Sequence, residues 1–358
     1  MADLTKTYKN GKIELLRFFF CLSVVVYHAG GDVLGDNNIL TPAFSVFAHG
    51  RSGVEFFFLL SGYLAAKTAK KMQGSSTAIG KDTYSFVLRK IKRVFPYHIF
   101  ACVLMVISMI FLSENATVFW NDLGLSIPSW FFLQRTGIKS VDLISIEWYI
   151  CSMLLALAII YPLLRKWYDM MVHVVAPVLS SVLIGYMLYT YGAMPGYRTW
   201  GSYTYICNLR GFAVVLLGVF VYFVSEQIKE HEFSKKQWIW LAVLEDASWA
   251  FVIYFTFSSM EFALEGYFVY FTALAMAISF ARNYNSKFYQ SRFVSYLGRI
   301  SLSVYLCQNF ARDIISNNRT GISDAVTIVL ILLMSIGVGM LIDLIYNSFI
   351  NRKRKNNS

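Results

Sequence analysis

Ten mostly apolar stretches of about 16 to 25 residues recur along this chain, and short connections between them carry most of its charge. They run approximately over 13–34, 52–67, 95–112, 145–164, 173–191, 207–225, 238–257, 264–281, 295–315 and 325–349. Stretches of this length suit a hydrocarbon core about 30 Å thick at a helical rise of about 1.5 Å per residue. In lipid each backbone polar group has to be satisfied within the segment, so the stretches are expected to be helices. The expected fold is therefore an all-α, polytopic transmembrane bundle of about ten spans. Composition agrees: 57% of the 358 residues are hydrophobic and only 15% are charged, far from the balance of a soluble domain. The first stretch lacks a convincing cleavage site and is expected to be retained. Connections reach only about 30 residues, which predicts one integral-membrane domain over 1–358 and no separate soluble domain.

The net charge of +11 follows the membrane. With the N-terminus placed inside, the inner connections and both ends hold 23 of the 32 Lys and Arg residues, including Lys6, Lys9, Lys12 and the basic tail Arg352 to Lys355. The outer connections hold about six. That asymmetry predicts an even number of crossings in a cell membrane with both termini cytoplasmic, in contact with lipids and not with nucleic acid. The five cysteines lie in or beside apolar stretches without metal-ligand spacing, so they are expected to pack, and no metal is expected.

Charge inside the spans needs a separate explanation. In IELLRFFFCLSVVVYHAGG, Arg17 and His28 are eleven residues apart, about three helical turns, so they share one face about 16 Å apart along the axis. Buried ionisable groups in membrane helices usually face a protein interior or a wet cavity. A snorkelling Arg and a His at the helix end would explain the pair equally well.

Two further segments carry polar chemistry. In KDTYSFVLRKIKRVFPYHIF, Arg89 and Arg93 share a helix face, Lys90 and Lys92 flank them, and Pro96 marks the start of the third span. Such a face suits either anionic lipid headgroups or the phosphates of a cytosolic cosubstrate. In HGRSGVEFFFLLSGYL, Gly53, Ser61 and Gly62 permit close helix approach. Glu55 there falls at a depth similar to His28. It can fix that imidazole as a general base, pair with Arg51 or face water. His49 is a reserve candidate, whereas His98 is expected at the interface and His173 and His231 beside loops. The outer connection 113–145, with LGLSIPSWFFLQRTG, is expected to be interfacial or re-entrant and to roof a cavity. No zinc-protease, P-loop or dinucleotide pattern is present.

Together these segments resemble the acyltransferase 3 family of membrane-embedded enzymes that O-acylate cell-envelope glycans. The resemblance rests on Arg17 and His28 with ten residues between them, on Gly53, Val54, Glu55, Phe57, Phe58, Leu60, Ser61 and Gly62, and on Arg89, Arg93 and Pro96. EWYICSMLLALAIIYPLL and LGRISLSVYLCQNF resemble later segments, with Gln308 where many members have His. The resemblance implies transfer of an acyl group, expected to be acetyl, from cytosolic acyl-CoA to a saccharide or lipid-linked glycan hydroxyl. On that view Arg17, Arg89, Lys90 and Arg93 hold the phosphates, His28 is the base and Glu55 orients it. The competing class is a transporter or flippase that uses the same buried charges as a substrate path.

Overall fold

Apart from an isolated antiparallel bridge between Trp200 and Tyr205, helix is the regular structure that the described residues build. They are residues 10–34, 48–113, 115–258, 264–282, 284 and 286–355 of a computed structural model. Lys6 and Lys9 lie outside them. The long helices are α1 (Gly11–Leu34), α2 (Gly53–Lys71) and α3 (Ile79–Leu112). After the short α4 (Ala116–Leu125) and α5 (Ile127–Trp130) comes α6 (Trp148–Lys166). A short α7 (Tyr168–Met170) then runs through a π-helical turn, Met171–Val175, into α8 (Ala176–Tyr191). The chain ends with α9 (Ile206–Glu230), α10 (Lys235–Phe257), α11 (Glu265–Ala281), α12 (Arg292–Asn317) and α13 (Asp324–Lys355).

Long helices occupy all ten apolar stretches, and seven of the helical segments are long and apolar enough to cross a membrane. The others are α2, with Glu55 and three lysines, α12, with three arginines and an aspartate, and α11, with 17 residues. Burial separates inner from outer helices. In α6 and α9, 72% of the apolar window is buried, against 33% in α10 and α13. The core lies where α1, α2, α6, α9 and α12 meet, and Phe20, Phe56, Phe58 and Tyr63 are almost wholly enclosed there.

One boundary differs from expectation. Pro96 does not start a new helix: α3 runs unbroken through it for 34 residues, about 51 Å. That is well beyond a hydrocarbon core of about 30 Å, so the basic stretch from Arg89 to Arg93 is a continuation of the apolar span. The connection after α3 contains no helix long enough to cross a membrane among the described residues. Its α4 and α5 are short, and Phe132, Gln134, Leu143, Ile144 and Ile146 are buried against the bundle.

Small residues determine how closely α2 approaches α9. A Cβ on Gly62 would run into the Val215 carbonyl, and one on Gly218 into the Leu59 carbonyl, so each helix lays its backbone on the other's glycine. The packing role expected of Gly62 is therefore its role in the fold. Gly62→Val and Gly218→Val are each expected to lower the thermal unfolding midpoint of the purified protein and its folded yield, at a cost of about 1–3 kcal/mol or more for overpacking. Unchanged midpoints would contradict this crossing.

Candidate active site

A cavity of about 800 Å³ opens among the first turns of α1, the last turns of α2, α9 and α11, and the basic part of α3. Arg17, Lys67, Lys90, Arg93, Lys229 and Arg282 line it, with Glu14 as the single acidic lining residue among the described ones. Farther in, the wall becomes apolar and aromatic, with Phe57, Leu60, Tyr149, Met153, Leu302 and Tyr305. One end thus concentrates positive charge, and the other suits an uncharged chain.

Local sequence explains the position of Arg17. Its Nη1 donates to both oxygens of Glu14, one turn earlier, at 3.0 and 3.2 Å. Glu14 itself fits because residue 298 is glycine: a Cβ there would overlap its carboxylate. The Nε of Arg17 is buried without a hydrogen-bond partner among the described residues. Lys67, Lys90 and Arg93 have no acidic partner among those residues either. Such cations suit an anionic ligand, because its oxygens would supply the missing acceptors.

The basic motif on α3 faces the cavity differently from expectation. Lys90 and Arg93, three residues apart, line it. Arg89 is exposed and outside the lining, so the Arg89/Arg93 pairing gives way to Lys90/Arg93. The cause is the packing of α3, whose buried Phe86, Val94 and Tyr97 fix its rotation.

Arg282 and Tyr284 form the mouth together with Glu245. That carboxylate, fully enclosed on α10, accepts from Lys12 Nζ at 2.7 Å, Ser279 Oγ at 2.5 Å, Arg282 Nη1 at 2.5 Å and the Tyr284 hydroxyl. Burial, with the neighbouring Glu245 carboxylate, pushes the Tyr284 phenol well above its usual pKa, so it remains a donor.

His28 stands eight residues beyond Phe20 on α1, outside the cavity lining, with its ring 5.2 Å from that of Tyr27. Glu55 does not orient it. Glu55 is enclosed beside α9, where Arg210 donates to its Oε1 through Nη2 and, at 2.5 Å, through Nε. Arg210 also donates to the Pro195 carbonyl at 2.9 Å. Arg51, the other partner considered for Glu55, instead donates to Glu265 at 3.0 Å, with Ser52 at 3.1 Å. His49 Nδ1 lies 3.9 Å from the same carboxylate.

A second buried His–carboxylate pair lies where the sequence predicted an interfacial residue. His98 and Glu147 are both fully enclosed, with Nδ1 3.0 Å from Oε1. The other ring nitrogen faces the Trp130 carbonyl at 3.2 Å. Phe132 packs on His98 with centroids 4.3 Å apart and the rings tilted by 37°, and it does so from a left-handed backbone (φ 59°) uncommon for so bulky a residue. Two signals in the sequence pointed here, the Glu147 beside Trp148 and the aromatic run 130–132. Gln308 is also enclosed: its Nε2 donates to the Tyr305 carbonyl at 2.9 Å, and Oε1 has no partner among the described residues.

All five cysteines are buried and free, and no group of three His, Cys, Asp or Glu side chains among the described residues is arranged to hold a metal. Compared with known proteins, the chain matches a family described as an acyltransferase domain over residues 10–344. No curated protein and no solved structure matches it.

Proposed function

The chain belongs to the acyltransferase 3 family, and on that premise we propose that it moves an acyl group, acetyl in the first instance, from cytosolic acyl-CoA to a hydroxyl of a cell-envelope saccharide. The observation that carries this proposal is the cavity: six cations at one end, of which Lys67, Lys90 and Arg93 have no acidic partner among the described residues, and an apolar, aromatic wall at the other. An acyl-CoA has the matching order of groups, with phosphates at one end and a thioester on a long uncharged arm at the other. Arg17, Lys90 and Arg93 hold the phosphates, with Arg89 close enough in sequence to add to the field but not to the contact. The positive-inside rule places this end in the cytoplasm, with ten crossings and both termini on that side of a cell membrane.

Beyond the cavity, the acceptor hydroxyl attacks the thioester carbonyl. The C–O bond forms as the C–S bond breaks, His28 takes the hydroxyl proton, and the departing thiolate is protonated as CoA leaves. An arm reaching on the order of 15–20 Å spans the axial rise of about 16 Å between Arg17 and His28. Glu55 is paired with Arg210 through Oε1, while its Oε2 has no hydrogen-bond partner among the described residues, and its role is assigned to the packing of α2 on α9.

Titration of the purified protein with CoA tests the donor site. Arg93→Ala and Lys90→Ala are each expected to raise the Kd about tenfold or more, as expected for losing a hydrogen bond to a charged group, about 1.5–3 kcal/mol. Wild-type affinity is expected to fall as salt is raised. CoA binding that is indifferent to both substitutions would remove the cavity from the mechanism.

A further inference from the structure

The lysines and arginines along the cavity fall into two groups on different walls. Arg17 on α1 stands with Lys90 and Arg93 on α3, and Lys67 on α2 stands with Lys229 on α9. The charges acting most strongly on Lys90 are Arg93, Arg17 and Arg89, whereas those acting on Lys67 are Lys229, Lys71 and Glu226. The walls are separate too: α2 packs on α9 through Gly62 and Gly218, and α3 packs on α6 and α12.

The groups also differ in depth. Phe20 of α1 packs on Phe56 of α2 at 4.8 Å, which sets these two helices level. Because α1 starts at the mouth and α2 ends there, Arg17 lies three residues from that contact toward the mouth, about 4.5 Å, and Lys67 eleven, about 16.5 Å. Lys67 is thus about 12 Å nearer the mouth along the axis. Side chains lean toward the start of their own helix, so Lys67 and Lys229 lean into the cavity while Arg17, Lys90 and Arg93 lean toward the mouth. The charged ends of the two groups therefore approach one another more closely than their backbones do.

Membrane orientation alone does not account for Lys67. Lys67, Lys70 and Lys71 all lie near the end of α2, and any of them serves the positive-inside rule. Of these, Lys67 is the one that lines the cavity, whereas Lys70 lies over the Tyr168 ring at 5.1 Å. Its stretch of helix is fixed by Tyr63, one turn earlier, which stacks flat on Phe280 with centroids 3.7 Å apart and meets Tyr222 edge-on at 5.3 Å. Lys229 Nζ meets Glu226 at 2.6 Å, and Glu226 is outside the lining.

We propose that Lys67 and Lys229 form a subsite for the 3′-phosphate of the CoA ribose, by which the cavity selects CoA over donors lacking that phosphate, while Arg17, Lys90 and Arg93 hold the diphosphate. This rests on the cavity being the acyl-CoA site. CoA carries phosphate in two places: a diphosphate that leads to the pantetheine arm, and a single phosphate on the ribose beyond it. With the thioester at the apolar inner end, the diphosphate comes next and the 3′-phosphate last, nearest the mouth. That is the order of the two groups of cations. A phosphate monoester carries about 1.5 to 2 negative charges near neutral pH, which a pair of lysine ammonium groups matches.

CoA and dephospho-CoA test this directly, because they differ only in the 3′-phosphate. Both are titrated into the protein in nanodiscs of zwitterionic lipid. Wild type is expected to bind CoA about tenfold or more tightly than dephospho-CoA. Lys67→Ala is expected to cut that preference to about threefold or less by weakening CoA alone, and Lys67→Arg to retain it. Lys229→Ala is expected to cut it less, because Glu226 already engages Lys229. Lys90→Ala is expected to weaken both ligands alike, and Lys70→Ala neither. Equal wild-type affinities, the result for lysines that serve only lipid headgroups, would overturn the subsite. So would a Lys67→Ala protein that loses both ligands in parallel, or a Lys70→Ala effect as large as that of Lys67→Ala. Failure of wild type to bind either ligand would instead overturn the donor-site proposal on which the subsite rests.

Discussion

His28→Ala protein is expected to bind CoA and to fold, yet to lose acyl transfer by about 10²–10⁴-fold, the usual contribution of a positioned general base. The separation of the two outcomes follows from geometry. His28 is outside the lining of the cavity that carries Arg17, Lys90 and Arg93, and among the described residues its contact is the edge of the neighbouring Tyr27 ring rather than a bond between helices. Removing the imidazole therefore leaves the donor site intact and deprives the acceptor hydroxyl of a proton acceptor. Acceptor-dependent release of free thiol from labelled acetyl-CoA reads the chemistry, and a CoA titration on the same preparation reads the binding. Undiminished thiol release from the variant would exclude His28 as the base. A loss of CoA binding equal to the loss of transfer would show that His28 serves the donor site instead.

The largest structural effect is expected at Glu55 and Arg210. The pair is enclosed, joins α2 to α9, and engages the bundle further through the Pro195 carbonyl. Deleting either partner leaves a buried charge without its counterion, a loss of about 3–5 kcal/mol in proteins where such pairs have been broken. Glu55→Ala and Arg210→Ala are each expected to lower the unfolding midpoint strongly. The double variant Glu55→Leu/Arg210→Met is expected to regain most of the loss, because it removes both charges and restores packing. If Glu55→Ala left stability intact and abolished transfer, Glu55 would belong to the chemistry after all.

That pair also shows where the sequence stops being informative. The shared face of Arg17 and His28 follows from helical period, and so do the positions of the long helices. The partner of Glu55 is 155 residues away on another helix. Nothing local distinguishes Arg210 from Arg51, because pairing depends on how α2 and α9 cross. The basic motif fails in a similar way. Spacing offers Arg89 with Arg93 and Lys90 with Arg93 equally, and only the rotation of α3 about its buried Phe86, Val94 and Tyr97 chooses between them. The sequence puts His98 at an interface because it follows Pro96, at the entry to the third span. An unbroken α3 puts His98 about 29 Å from its first residue, deep enough to meet Glu147. The close approach at Gly62 was legible in kind, since small residues in an apolar stretch have few other uses, although its partner Gly218 was not.

Glu245 gives the mouth of the cavity a mechanical property. A single carboxylate fastens the start of α1 through Lys12 to the end of α11 through Ser279, Arg282 and Tyr284. Arg282 and Tyr284 are also two of the residues that bound the opening. One carboxylate thus ties the rim of the opening to α1, the helix that carries both Arg17 and His28, so the rim and the placement of that helix share a single fastening.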